Sequence, residues 1–181
     1  LQMRKTPKPG RFWGSRMVVA PYLAGLMVTN CVQLPRRNIT VNALALDETD
    51  GEVSLIDLFD GQKDLRAKII RTVGDPKERF NEDALRMLRA IRFSVTLNNG
   101  WKIEAKTKKA VKDHSELLKV ISQERIKEEL SKIIASDQAA EGIEALRETG
   151  LLQYILPELL EGYKVGQNKH HVYDVYEHSV R

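Results

Sequence analysis

The spacing of apolar residues changes period once along the chain. From Ile39 to Leu46 apolar and polar positions alternate as in a strand, Asp47 to Gly51 reads as a turn, and Glu52 to Leu58 reads as a second strand. Together they predict a hairpin. A short helix follows over Phe59 to Lys68, punctuated at its start by Asp60-Gly61, and then a strand over Ile69 to Val73. Beyond Gly74 the period becomes helical. Asp75-Pro76 suits a helix start, because the Asp carboxylate can accept from orphan amides and Pro fits the first turn. Phe80, Ala84, Leu85, Leu88, Ile91 and Val95 then form one apolar stripe, closed by Asn98-Asn99-Gly100. Further helices are predicted over 103–113, 122–135, 138–148 and 151–160, with a last one starting near Val172. Residues 1–16, with Pro7, Pro9, Gly10 and Gly14 among basic side chains, read as irregular. Met17 to Val28 is the longest apolar run and is interrupted by Pro21 and Gly25. It is short of the roughly 20 helical residues that cross a bilayer, so it predicts a buried strand or helix rather than a membrane span. It is followed by Thr-Asn-Cys-Val-Gln rather than by the small residues of a signal-peptide cleavage site. The expected location is therefore the cytoplasm.

Composition refines this picture in two ways. The 181 residues are 42% apolar and 30% charged, which suits one folded domain or two small ones. The lone Cys31 excludes an internal disulfide framework. The net charge of +4 is unevenly distributed: residues 1–40 hold seven basic side chains and no acid, and the remainder is net −3. Total charge therefore says little about nucleic-acid binding, and any such contact has to come from local rows of arginine. The chain begins at Leu1 and ends at Arg181 inside a helical pattern, so both ends read as cut.

Four clusters could carry chemistry. In Arg36-Arg37-Asn38-Ile39-Thr40-Val41-Asn42-Ala43 a strand would turn Ile39, Val41 and Ala43 one way and the asparagines the other. Arginine forks suit phosphates and Asn amides suit ribose hydroxyls or bases, but the same residues also make an ordinary solvated strand entrance. In Glu82 to Phe93, Asp83, Arg86 and Arg89 recur every third residue and Arg92 continues the row, which predicts neighbours on successive turns of one helix. A carboxylate accepts and a guanidinium donates, so this pair can read a base edge while further arginines reach phosphates. An internally paired helix face is the alternative. Three arginines at this spacing repel one another unless an anion joins them. The carboxylates of Asp57 to Leu65 admit a metal reading, although Asp60-Gly61 is ordinary turn chemistry. His171 and His178 lie about two helical turns apart, too few ligands for a metal site by themselves.

These clusters occur in an order that carries a resemblance. Arg36 to Leu46 (RRNITVNALAL), Leu55 to Leu65 (LIDLFDGQKDL), Ile70 to Asp75 (IRTVGD) and Phe80 to Phe93 (FNEDALRMLRAIRF) resemble the bacterial tRNA nucleotidyltransferase and poly(A) polymerase family, more narrowly its class II CCA-adding enzymes. The resemblance runs from about residue 35 to 181. It implies an α+β, mainly α fold: the remnant of a nucleotidyltransferase head sheet over 35–74, an all-helical neck and body over 75–165, and the start of an HD-like helical region over 166–181. Residues 1–34 stand outside it as an atypical basic segment. It further implies that Arg37 contacts the sugar and phosphates of an incoming nucleotide with support from Asn42. Asp83 and Arg86 would act as a protein template for CTP and ATP through the Watson–Crick edge. Arg89 and Arg92 would be further nucleotide-contacting arginines. Residues 57–64 would be a flexible element linking head and neck, and His178 would correspond to the first metal-ligand histidine of an HD-type domain. The implied partners are tRNA, CTP and ATP.

Two departures qualify those implications. Asn38 stands where the family motif has Asp. The resemblance also implies two Mg²⁺ held by an Asp-x-Asp pair, and residues 1–34 contain neither Asp nor Glu. The sequence therefore predicts a partial chain that keeps the nucleotide-selection residues and lacks the catalytic carboxylates. The alternatives are a non-catalytic RNA-binding module, a poly(A) polymerase-type relative and, from the His178 position, an HD phosphohydrolase.

Overall fold

The structure is a computed structural model and describes residues 31–49, 52–97, 100–166 and 174–180. The irregular segment expected over 1–16, the buried element over Met17 to Val28, and the positions Asp50, Gly51, Asn98, Asn99 and Val172 lie outside the described residues. The chain divides into two compact units, Leu1–Gly74 and Asp75–Arg181. Among the described residues no helix is long and apolar enough to cross a membrane.

In the first unit a 3-10 helix over Cys31–Arg36 leads through Ile39, which bridges Thr72, into a second 3-10 turn over Thr40–Asn42. Strand β1 (Leu44–Thr49) then pairs antiparallel with β2 (Glu52–Asp57), in a register that sets Leu44 opposite Asp57 and Thr49 opposite Glu52. The hairpin is as expected, but its first strand starts five residues late. The alternation of Ile39, Val41 and Ala43 mimics a strand, yet Thr40 between them is buried too. Its hydroxyl donates to Asp64 Oδ2 at 2.6 Å, and its carbonyl accepts from the Ala43 amide, which closes a turn. Leu34 and Ala45 form a small apolar centre with Ile56 and Phe59.

Helix α1 (Gly61–Ala67) explains the carboxylates of this region. Asp57 accepts from the Gly61 amide at 2.8 Å and from the Gln62 amide at 3.0 Å, satisfying two orphan donors at the helix start. A Cβ on Gly61 would lie 2.4 Å from the Thr40 carbonyl oxygen, so only glycine allows this approach. Asp64 is buried between the Thr40 hydroxyl and Arg71 Nε, the latter at 2.9 Å. Both carboxylates hold the helix against its neighbours. Short strand β3 (Ile69–Ile70) ends the unit.

The second unit is helical, with one two-residue strand, β4 (Lys102–Ile103). Its helices are α2 (Pro76–Glu82), α3 (Leu85–Thr96), α4 (Ala105–Asp113), α5 (Gln123–Ile134), α6 (Ala139–Glu148), α7 (Leu152–Ile155), α8 (Pro157–Glu161) and α9 (Val175–Val180). A 3-10 helix over Ser115–Val120 follows α4. Asp75 caps α2 by accepting from the Lys77 amide at 3.1 Å. The helix expected over 151–160 is interrupted at Leu156, because a residue preceding proline is pushed out of the helical region. Helix α3 is the spine. Met87, Leu88, Ala90 and Ile91 are fully buried and pack toward α5 and α6 with Ile126, Ile133, Ile143 and Leu146. Each large side chain so buried contributes roughly 1.5–3 kcal/mol.

Helix α9 is fastened by backbone hydrogen bonds from Val175 and Tyr176 to the Val165 and Gly162 carbonyls and by a polar cluster. The Tyr176 hydroxyl donates to Glu144 Oε2 at 3.2 Å, Arg147 Nε donates to the same oxygen at 2.9 Å, and the Tyr163 and Tyr176 rings meet edge to face at 5.5 Å. The hydrogen bond from Arg147 holds Glu144 below the usual carboxylate range. Burial, aided by the Glu144 charge, pushes Tyr176 up to about 12. In alkali the unfolded chain therefore gives up the Tyr176 proton first, near 10, while the folded chain keeps it until about 12. Stability is expected to fall across that window, and also in acid as Glu144 becomes protonated. Thermal melts of wild type and Tyr176→Phe from pH 8 to 12 check this: the variant should lose the part of the alkaline decline that belongs to Tyr176. An identical decline in both would contradict it.

Candidate functional site

The arginine row lies on α3, but Asp83 does not share its helix. Asp83 is extended, with φ −154° and ψ 103°, and separates α2 from α3. Its amide still donates to the Arg79 carbonyl as the last bond of α2, while its Oδ1 accepts from the Leu85 amide at 3.1 Å. A short acidic side chain that bonds its own downstream backbone competes with the helix, and here it restarts one. The Arg86 amide donates to the Asp83 carbonyl at 3.1 Å, so the two residues stay one turn apart across the break.

Each member of the row has an opposite charge beside it. Glu82 pairs with Arg86 Nη1 at 3.0 Å and with Arg79 Nη2 at 2.9 Å. Asp83 Oδ2 accepts from Arg125 Nη2 of α5 at 3.0 Å. Glu129, also on α5 and only 5% exposed at its side chain, lies 2.6 Å from Arg92 Nε and 3.3 Å from Arg89 Nε. The anion that the arginine spacing calls for is thus supplied in large part by the protein. Arg92 also stacks on the ring of Phe93 at 4.1 Å. Beside Asp83 and Arg125 a pocket of about 390 Å³ opens, lined also by Phe80, Leu117, Val120 and Ile121. Val120 stands 80% exposed there, an apolar side chain at the rim of a charged pair.

Arg37 and Asn42 belong to the first unit. Arg37 is half-buried, and its Nε is enclosed without a hydrogen-bond partner, a donor left over by the local fold. Asn42 ends the 3-10 turn half-buried, its amide donating to the Ile39 carbonyl. His178 is exposed on α9, and His170 and His171 lie outside the described residues. Among the described residues no group of three or more His, Cys, Asp or Glu gathers as a metal site. With Asp57 and Asp64 engaged on α1, and no acid in residues 1–34, this chain's donors do not fit the paired magnesium ions that the resemblance implies.

Sequence reasoning missed Arg125 and Glu129. Their signal was present as opposite charges at i and i+4 on an otherwise ordinary amphipathic helix, but nothing local says that this face meets α3.

Comparison with known proteins follows the same division. Residues 27–71 match the family model described as the poly A polymerase head domain, and residues 100–162 match the probable RNA and SrmB-binding site of polymerase A. The chain is 50% identical over 121 residues to the CCA-adding enzyme of Pediococcus pentosaceus, covering 67% of this chain and 29% of that protein. Among solved structures, the Bacillus stearothermophilus CCA-adding enzyme in complex with CTP superposes with a TM-score of 0.61 at 41% identity, covering 68% of this chain and 30% of that one. The Thermotoga maritima CCA-adding enzyme complexed with tRNA gives a TM-score of 0.63 at 28% identity, covering 76% and 32%. The chain therefore spans about three-tenths of the length of the curated relatives it matches. Head-type residues are thus followed along the chain by RNA-binding-type residues. The chain belongs to the tRNA nucleotidyltransferase and poly(A) polymerase family.

Proposed function

We propose that this chain is the nucleotide-selecting and RNA-binding part of a CCA-adding nucleotidyltransferase, working on tRNA with CTP and ATP in the cytoplasm. The observation that carries the reading is the placement of one acceptor, Asp83, and one donor, Arg86, one turn apart at the α2–α3 break, where the Arg86 amide donates to the Asp83 carbonyl. On their Watson–Crick edges cytosine and adenine each present an amino donor beside a ring-nitrogen acceptor. Guanine and uracil present a carbonyl acceptor beside a ring N–H. A carboxylate and a guanidinium presented together to a base complement the first pattern and oppose the second. Arg37, whose guanidinium fork suits phosphate oxygens, and Asn42 serve the sugar and phosphates. Arg89 and Arg92 serve the nucleotide with the donors that Glu129 leaves free. The test is titration of the 181-residue chain with all four ribonucleoside triphosphates, in which CTP and ATP should bind and GTP and UTP should not. Equal binding of all four would remove the reading.

By itself the chain should not transfer nucleotides, since its donor set does not fit the metal ions that in-line displacement requires in such enzymes. Labelled CTP or ATP offered with tRNA lacking its CCA end should stay unincorporated. Magnesium-dependent incorporation by the purified chain would refute this.

A second reading, a non-catalytic RNA-binding module, is favoured by one observation. Lys102, Lys106, Lys109 and Lys112 stand exposed on and beside α4, within the residues that match the RNA-binding family model. tRNA binding that weakens steeply with salt and is indifferent to which triphosphate is present would support this reading over the first.

A further inference from the structure

Asp83 is held at both ends of its carboxylate. Oδ1 accepts from the Leu85 amide at 3.1 Å, which ties it to its own helix start. Oδ2 accepts from Arg125 Nη2 at 3.0 Å, which ties it to α5, a separate helix 42 residues away in sequence. A carboxylate bonded through one oxygen can still turn about its last torsion, and a second bond to a different element stops that rotation. Each oxygen has two lone pairs, so both keep an acceptor site after these bonds are made. Asp83 and Arg125 line the same pocket, with Phe80 and Ile121 as its apolar wall. The Arg125 side chain is 47% exposed and ends in the ion pair with Asp83, so its removal leaves no hole in the core.

We infer that Arg125 is a specificity-determining positioning residue, which fixes the acceptor face of Asp83 so that it takes an amino group and rejects a carbonyl. The inference rests on the proposed reading of Asp83 as a base-selecting acceptor and adds the residue that sets its angle. Without Arg125 the carboxylate turns, and it can then swing away from a carbonyl oxygen that the fixed geometry repels. Arg125 itself need not touch the nucleotide. Because it works through Asp83, its effect disappears when Asp83 is absent.

The experiment titrates CTP, ATP, GTP and UTP against the 181-residue chain as wild type, Arg125→Ala, Arg125→Lys, Asp83→Ala and the Arg125→Ala/Asp83→Ala double variant, with thermal melts of each. Arg125→Ala should lower the ratio of CTP to UTP affinity about tenfold, a difference readable against the tenfold-per-step scale of binding free energy. Its melting temperature should stay near wild type, as expected for an exposed ion pair. Arg125→Lys, which keeps a donor but not the fork, should recover part of the ratio. In the Asp83→Ala background, Arg125→Ala should change nothing further. An unchanged ratio in Arg125→Ala, or equal weakening of all four nucleotides together with a fall in melting temperature, overturns the inference. If Asp83→Ala itself leaves the ratio intact, or wild type binds none of the four, the underlying reading fails first.

Discussion

Asp83→Ala should abolish the preference for CTP and ATP while leaving the chain folded. A hydrogen bond to a charged group is worth roughly 1.5–3 kcal/mol, which corresponds to about a ten- to 150-fold loss of affinity. The side chain has a second duty that must be separated from the first: its Oδ1 accepts from the Leu85 amide and restarts the helix. Loss of such a cap costs about 1 kcal/mol in stability. Asp83→Asn divides the two effects. Its amide oxygen can still accept from Leu85, so stability should hold. Its amide nitrogen donates where Oδ2 accepted and opposes the Arg125 donor, so affinity for CTP and ATP should fall well below wild type. Arg86→Ala removes the complementary donor and leaves Glu82 with Arg79 alone, so it should also flatten the preference. Calorimetric titration beside a thermal melt decides it. An Asn variant that binds CTP as wild type does would show that Asp83 is only a cap.

Much of this was legible in the sequence because most signals were local. The helices predicted over 122–135 and 138–148 coincide with α5 and α6 to within a residue at each end, since each carries a strong apolar stripe between clear stops. The break at Asp83 was not legible. Phe80, Ala84, Leu85 and Leu88 keep helical spacing through it, and all four are buried on both sides of the interruption. What breaks the helix is one carboxylate choosing a backbone amide, a local competition that an apolar pattern does not register. The turn at Thr40 was hidden in the same way, because its hydroxyl pairs with Asp64, which lies 24 residues on. For the site, residue types were readable and partners were not. Asp83, Arg86, Arg89 and Arg92 stood out by spacing, whereas Arg125 and Glu129 acquire meaning only when α5 packs on α3. The repulsion inferred from the arginine spacing was the one clue that an anion had to be nearby.

Removing that anion should cost the second unit a large share of its net stability. Glu129 is 5% exposed at its side chain, whereas Arg92 is 20% and Arg89 33% exposed. Removing one partner of a buried ion pair costs about 3–5 kcal/mol, because the charges left behind are neither hydrated nor compensated. Here two cations are left, three residues apart on one helix, and they repel each other once the carboxylate is gone. Their partial exposure draws the expected cost toward the lower end, about 3 kcal/mol. Glu129→Gln keeps the shape and removes only the charge, so it isolates this effect from cavity formation. It should lower the melting temperature by roughly 10–20 °C for a unit of this size. Lys132 offers the control. Its ammonium is 3.8 Å from Glu129 and its side chain 52% exposed, so Lys132→Ala should change little. Sulfate or phosphate should stabilise Glu129→Gln more than wild type, because a small anion can take the place between Arg89 and Arg92 that the carboxylate has vacated. A Glu129→Gln chain that melts with wild type would mean that water reaches the two guanidiniums and that Glu129 is dispensable to α3. If instead melting falls and added anion restores it, the arginine row is held in place by charge.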